Sequence, residues 1–502
     1  MERNKHLTLF ISIMMFMTAG SVSSKASVPD TIKIKSLTER FSSSDAVVRV
    51  QASEELIKIG AGALPFLCSA LKDTNGQVRI SAAITLCRFG EKAAPALDCL
   101  ISGLIDKERV VRLQCAYALR YFKNENDRVA AALNKSVRDK DLLVRKTALR
   151  SMKIVHPAYF NSAPDINKII SAADSLIPLL KAEHKVPGVS LVIIRNNKIV
   201  HTVNSGTADS RTNEPVDSET MFEACSMSKP LFSYIALKLA ESGELDLDKP
   251  VYKYFDDPAF MEQPERKKIT ARMLLSHTSG LPNWRLGEED NEGLLPVLFD
   301  PGLKFGYSGE GMFLLQKVVE KITGESFEEY SKRTLFDPLG MKHSSFIYKD
   351  EFDANIAAGH NEDGTFRSKT SYGRANAGYS LYCSAEDYAT FLLEIMNKER
   401  RGKKLLSQKW LNEMLKRQSI ANIREPVERP GRATSFEVYW GLGWGINSTL
   451  GNDIYYHSGS NGSGFTCYSQ FNPAEGSGIV IMTNSYNGDL LWKKLVAEIG
   501  DL

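Results

Sequence analysis

The dipeptide Val-Arg recurs at a near-constant spacing near the start of the chain, at Val48-Arg49, Val78-Arg79, Val111-Arg112 and Val144-Arg145, at intervals of 30, 33 and 33 residues. A repeat of this length confines the fold tightly, because one copy is too small to bury its own apolar face and successive copies must stack. Three residues after each arginine stands Ala52, Ala82, Cys115 or Ala148, and seven after it Leu56, Leu86, Leu119 or Met152, the spacing of one buried helix stripe. Four residues before each arginine stands Asp45, Asn75, Glu108 or Asp141, which suits a helix N-terminus by capping or by charge. Gly60 and Gly90, followed by Pro65 and Pro95, mark turns between paired helices.

This pattern resembles HEAT-type repeats, and the resemblance implies an all-α solenoid of two-helix units over residues 27–160. Such a slab carries no chemistry. It serves as a spacer or as a surface for a protein partner, and fold alone does not choose between them.

Ahead of the repeats, Arg3 and Lys5 precede the apolar run Leu7 to Met17, and small residues follow up to Ser24-Lys25-Ala26. This order predicts a signal peptide over residues 1–26 and a protein secreted to the bacterial periplasm. The run is too short for a permanent membrane span, and no cysteine follows it to anchor a lipid. A net charge of +3 over 502 residues leaves no electrostatic footprint for nucleic acid. The seven cysteines are an odd number without C-x-x-C spacing, so neither a disulfide framework nor a zinc site is expected. Cys68, Cys87, Cys99 and Cys115 are read as small core residues of the repeats. No metal and no cofactor is expected.

Asn161-Ser162-Ala163-Pro164 reads as a linker into a second domain, residues 161–502. A helix from Asp165 to His184 is followed by strands Gly188 to Arg195 and Lys198 to Ser205, which meet at the hairpin signal Asn196-Asn197. A mostly helical middle follows, from Phe222 to Asn397. Strands are then expected at Trp440 to Ile446, Ile454 to His457, Phe465 to Phe471 and Gly478 to Thr483, and a last helix at Leu490 to Ile499. Strands at both ends of the domain predict an α+β fold: one antiparallel sheet completed by its terminal segments, with an inserted helical lobe.

The chemistry centres on Ser226 and Lys229, three residues apart at the start of the helical run Leu231 to Ala240. Residues at i and i+3 share a helix face, so a hydroxyl and an amine are placed side by side. A serine becomes nucleophilic when a nearby base takes its proton, and a desolvated lysine can be that base. The spacing alone is unselective, since Ser69 and Lys72 share it inside the repeats. Cys225 is a rival nucleophile without a paired histidine in the local sequence.

Further stretches accompany the pair: Leu274-Leu275-Ser276-His277-Thr278-Ser279-Gly280-Leu281-Pro282, Phe305-Gly306-Tyr307-Ser308-Gly309 and His457-Ser458-Gly459 at a strand end. With Phe313 to Gly324 and Asp337-Pro338-Leu339-Gly340-Met341, they resemble the serine β-lactamase and penicillin-binding-protein superfamily, in the class C branch that includes D-alanyl-D-alanine peptidases and family VIII esterases. The resemblance implies Ser226 as the acylated nucleophile, with Lys229 and Tyr307 sharing its proton. It also implies His457, Gly459 and Ser460 on the strand lining the site, the backbone N–H groups of Ser226 and Ser460 forming the oxyanion hole. Two departures stand out: Gly309 replaces the asparagine of Tyr-x-Asn, and His457 the lysine of Lys-Thr-Gly. Both favour an ester or another peptide-like acyl donor over efficient β-lactam hydrolysis, and both predict an open, weakly charged cleft. Acyl transfer to a bound alcohol or amine is the alternative, and a non-catalytic recognition module is a third reading. The G-x-S-x-G and H-E-x-x-H signatures are absent.

Overall fold

The computed structural model describes residues 28–136, 139–155, 166–260, 263–285, 294–396, 405–422, 438–447 and 453–499. The expected signal peptide and the linker at 161–164 lie outside the described residues. Two compact units divide the chain between Phe122 and Lys123, so the helix of the fourth repeat, Leu142–Val155, groups with the second unit.

The Val-Arg repeat has a local physical cause. Each arginine reaches back to the turn before its own helix, and its Nη1 donates to two consecutive carbonyls. Arg49 bonds Ser43 O at 2.6 Å and Ser44 O at 3.0 Å. Arg79 bonds Asp73 and Thr74, Arg112 bonds Asp106 and Lys107, and Arg145 bonds Asp139 and Lys140. The guanidinium thus satisfies carbonyls that a tight inter-helix turn leaves without backbone partners. Asp45, Asn75 and Asp141 accept from the N–H two residues on, as helix caps, whereas Glu108 makes no cap and pairs with Arg79 instead. Ala52, Ala82, Cys115 and Ala148 are fully buried.

One expectation about cysteine is corrected. Cys68 and Cys99 form a disulfide across 31 residues. They occupy neighbouring copies of the repeat, whose stacking brings equivalent positions together without any short-range spacing signal. Cys87 and Cys115 are free and buried, as expected of small core residues.

In the second unit, helix α1 (Ile166–His184) leads into β1 (Gly188–Arg195) and β2 (Lys198–Asp209). The remaining strands of the main sheet are β3 (Glu214–Pro215), β4 (Ser419–Asn422), β5 (Val438–Trp440), β6 (Gly445–Asn447), β7 (Ile454–Asn461), β8 (Phe465–Asn472) and β9 (Ser477–Thr483). Among the described residues they form one antiparallel sheet in the order β3-β2-β1-β9-β8-β7-β6-β5-β4. The first strand therefore pairs with the last, Val189 opposite Thr483, and the terminal segments close the sheet.

Both faces of β1 are covered, which is why its sequence is apolar throughout. Val189, Leu191 and Ile193 pack with α1 and the last helix (Gly488–Ile499), where Tyr468 stacks on Trp492 with centroids 4.3 Å apart. Val192 and Ile194 face the helical lobe, in one core with Phe222, Leu231, Phe232 and Met312. The period of two along a strand makes this division automatic.

Strand boundaries differ from expectation in several places, and β2 runs on past Ser205 to Asp209. The run Trp440 to Ile446 is two short strands, because a tight turn with Gly443 at φ +87° folds the chain between them. β7 continues past Gly459 to Asn461, so His457-Ser458-Gly459 lies within a strand and not at its end.

Candidate active site

The segment before Ser226 is held on two sides. Phe222–Glu223 is a short strand paired with Tyr382–Cys383, and Ala224 N donates to Leu381 O at 2.8 Å. Cys225 then takes φ +53°, a left-handed conformation costly for a residue with a Cβ, and the chain turns through Cys225–Met227 into helix α2 (Ser228–Glu241). The Ser228 hydroxyl donates to Cys225 O at 2.6 Å and accepts from Leu381 N, which fixes the turn. Ser226 is left half-buried at its apex.

Lys229 is fully buried one turn on. Its Nζ donates to Ser226 Oγ at 3.0 Å and to Gly378 O at 2.7 Å. Among the described residues it forms no ion pair. Burial therefore pushes its pKa down to about 7, only partly opposed by Cys225.

Tyr307 is placed by the His277 motif. His277 O accepts from Gly306 N at 2.7 Å, His277 Nδ1 accepts from Ser308 N at 3.2 Å, and Ser308 Oγ donates to Pro282 O at 2.7 Å. The phenol interacts with the Ser226 hydroxyl, and Lys229 Nζ sits 4.8 Å from the ring centroid. Burial pushes the phenol above its ordinary value, and the contact with Ser226 only partly offsets this. Desolvation therefore favours the protonated phenol.

His457 is buried, 6.3 Å from Tyr307 and 5.6 Å from Trp440 between ring centroids. Its Nδ1 lies 2.8 Å from Ser458 O, and a carbonyl can only accept, so Nδ1 carries the proton and Nε2 is a bare acceptor. Burial, with Lys229 beside it, pushes the ring down to about 3. Gly459 has a steric reason: a Cβ there would lie 2.4 Å from Ala224 O and 3.1 Å from Ser226 N. The glycine lets β7 run against the turn that carries Ser226.

Trp284 carried no signal in the sequence. A Cβ on Gly309 would lie 2.7 Å from the Trp284 ring, so the indole occupies the room that a side chain at this position would need. The ring is 44% exposed and meets Tyr379 edge-on, 5.5 Å between centroids. The open cleft expected beside Gly309 is thus an aromatic wall. Glu223 and the carbonyl of Gly378 also escaped notice, although a charge inside the apolar run Met221 to Cys225 was a usable signal. Among the described residues, no group of acidic, histidine and cysteine side chains is arranged to hold a metal.

A sheet closed by its terminal strands, a helical lobe and a serine–lysine pair between them define the fold of penicillin-binding proteins and serine β-lactamases. The family model for beta-lactamase matches residues 173–499, and the chain belongs to that family; the model for HEAT repeats matches residues 34–120. The chain is 26% identical over 341 residues to penicillin-binding protein 4 of Amycolatopsis lactamdurans, covering 64% of this chain and 87% of that protein. The octameric penicillin-binding protein homologue from Pyrococcus abyssi superposes with a TM-score of 0.55 at 27% identity, over 66% of this chain and 76% of that one. The D-alanine carboxypeptidase AmpC from Burkholderia cenocepacia shares the fold, with a TM-score of 0.54 at 20% identity over 67% of this chain and all of that one.

Proposed function

We propose that the chain is an exported serine hydrolase that forms an acyl-enzyme on Ser226, with neutral esters preferred to β-lactams as acyl donors. The reading is carried by the fully buried Lys229, its pKa pushed down to about 7, 3.0 Å from Ser226 Oγ. In this mechanism the neutral amine takes the hydroxyl proton as Oγ adds to the substrate carbonyl carbon. The carbonyl electron pair moves onto oxygen, which the N–H groups of Ser226 and Ser460 receive. The ester bond then breaks and the alcohol leaves with the proton returned by Lys229; water, losing a proton to the same amine, adds to the acyl carbon, the bond to Ser226 Oγ breaks, the acid leaves and Lys229 returns the proton to Oγ. Tyr307, its phenol held protonated by burial, stands against the serine hydroxyl.

Two features support a neutral substrate. The Nε2 of His457 is a buried lone pair on a neutral ring, so this position supplies no cationic donor where a lysine would hold a carboxylate. Trp284 offers an apolar face where an asparagine would contact an amide. The same indole fills space that a bulky acceptor alcohol would need, which favours water over acyl transfer. The Cys68–Cys99 bond supports an oxidising compartment, and no described helix is long and apolar enough to cross a membrane.

The test is a comparison of kcat/KM for nitrocefin, a D-alanyl-D-alanine peptide and short-chain p-nitrophenyl esters. The esters are expected to be fastest. A β-lactam or the peptide turned over faster than every ester would overturn the preference.

A further inference from the structure

Glu223 is 1% exposed, three residues before Ser226, and it takes no part in the proton transfers above. Its Oε2 accepts three hydrogen bonds: from Ser463 Oγ at 2.6 Å, from Tyr372 Oη at 2.7 Å and from Asn461 Nδ2 at 3.0 Å. Its Oε1 is buried with no partner. A carboxylate in such a setting is costly unless the contacts it makes are needed elsewhere.

The donors come from two separate segments. Asn461 ends β7, directly after Ser460, and Ser463 lies in the turn to β8. Tyr372 belongs to the stretch leading to Gly378, whose carbonyl holds Lys229. Asn461 Nδ2 joins the two, reaching Tyr372 Oη at 3.1 Å and Tyr379 O at 3.4 Å. The backbone of Glu223 is equally engaged, since its carbonyl accepts from the thiols of Cys225 at 3.1 Å and Cys467 at 3.4 Å. One side chain therefore ties the segment bearing Ser226 to the strand bearing Ser460 and to the stretch that anchors Lys229.

We propose that Glu223 is a positioning residue that sets the separation of the Ser226 and Ser460 N–H groups, an inference that rests on the acyl-enzyme reading. Donors of this kind work only when fixed in place before the negative charge develops on the substrate oxygen. A displacement of about 1 Å costs on the order of a hundredfold in rate while leaving ground-state binding largely intact.

The experiment compares the wild-type protein with Glu223→Ala, Glu223→Gln and Asn461→Ala. It measures kcat and KM on a p-nitrophenyl ester, inhibition by phenylboronic acid, which forms a tetrahedral adduct on a serine, and melting temperature. For Glu223→Ala we expect kcat lower by about 10–100-fold with KM within about threefold, and boronate affinity weakened in parallel with kcat/KM. Glu223→Gln keeps an oxygen for the three donors and should recover most of the loss. Asn461→Ala, at the partly exposed end of the network, should reproduce part of the effect, and it carries the test if Glu223→Ala does not fold. Unchanged kcat in folded Glu223→Ala, or unchanged boronate affinity despite slower turnover, would overturn the proposal; so would an unaffected Asn461→Ala if that variant carries the test. Failure of the acyl-enzyme reading is distinguished by the wild-type protein itself, which would then form no adduct on Ser226.

Discussion

The side-chain nitrogen of Lys229 lies 3.0 Å from the hydroxyl oxygen of Ser226, in a position where the lysine is fully buried and has no carboxylate partner among the described residues. Burial favours the neutral amine, so the native pKa falls to about 7. The protonated form cannot accept the serine proton. Ester turnover is therefore expected to rise with pH through about 7 and then level off. The kcat/KM profile measures this. A rate still climbing at about pH 10 would assign the base to the phenol of Tyr307, whose ordinary value lies there and whose burial raises it further.

The same lysine costs stability, with a definite sign. In the unfolded chain it stays protonated up to its ordinary value of 10.5, whereas in the native protein it loses the proton near 7. Between these limits the unfolded state binds more protons, so this group makes stability rise with pH. From pH 7 to pH 9 the wild-type protein should gain on the order of 2 kcal/mol relative to Lys229→Met. Denaturant melts of both proteins at the two pH values isolate this difference. A parallel change in the two would contradict it.

Trp284 and Gly309 should behave as one unit. A Cβ at 309 would meet the indole at 2.7 Å and Asn283 O at 3.0 Å, so Gly309→Asn is expected to destabilise by about 1–3 kcal/mol and to lower ester turnover. Trp284→Ala removes the closer obstacle, so the double variant should be more stable than the sum of the single effects by at least about 0.5 kcal/mol. Strict additivity in the melts would mean that the ring does not constrain position 309.

The Cys68–Cys99 disulfide closes a loop of 31 residues within the repeats. Replacing both cysteines by serine should destabilise the repeat unit by about 2–4 kcal/mol. Ester turnover below its unfolding temperature should stay within about twofold of wild type, because every residue assigned to the site lies in the second unit. Calorimetry and a rate assay on the same sample check both halves. An unshifted transition, or a comparable loss of turnover, would contradict the expectation.

Local chemistry was legible in the sequence, and contacts across long separations were not. The sheet could be read because β1, β8 and β9 are apolar runs bounded by turn residues, and Ser226 with Lys229 because helix geometry alone sets residues i and i+3 side by side. The break inside Trp440 to Ile446 was hidden because a glycine turn interrupts the strand without interrupting its apolar character. Gly378 lies 149 residues from the lysine it holds, and the cysteines of the disulfide lie 31 apart. No spacing rule reaches that far. Gly309 marked a departure from the family pattern without naming what replaced the missing side chain, and only the packing of Trp284 against it turns the expected opening into a wall.

Covalent labelling tests for an acyl-enzyme on Ser226 with Lys229 as its base. The folded protein is treated with a fluorophosphonate at pH 8, digested and mapped by mass spectrometry. One adduct is expected, on the peptide containing Ser226, absent in Ser226→Ala and formed at least about a hundredfold more slowly in Lys229→Met. An adduct on Cys225, or none on protein that still turns over esters, would contradict it.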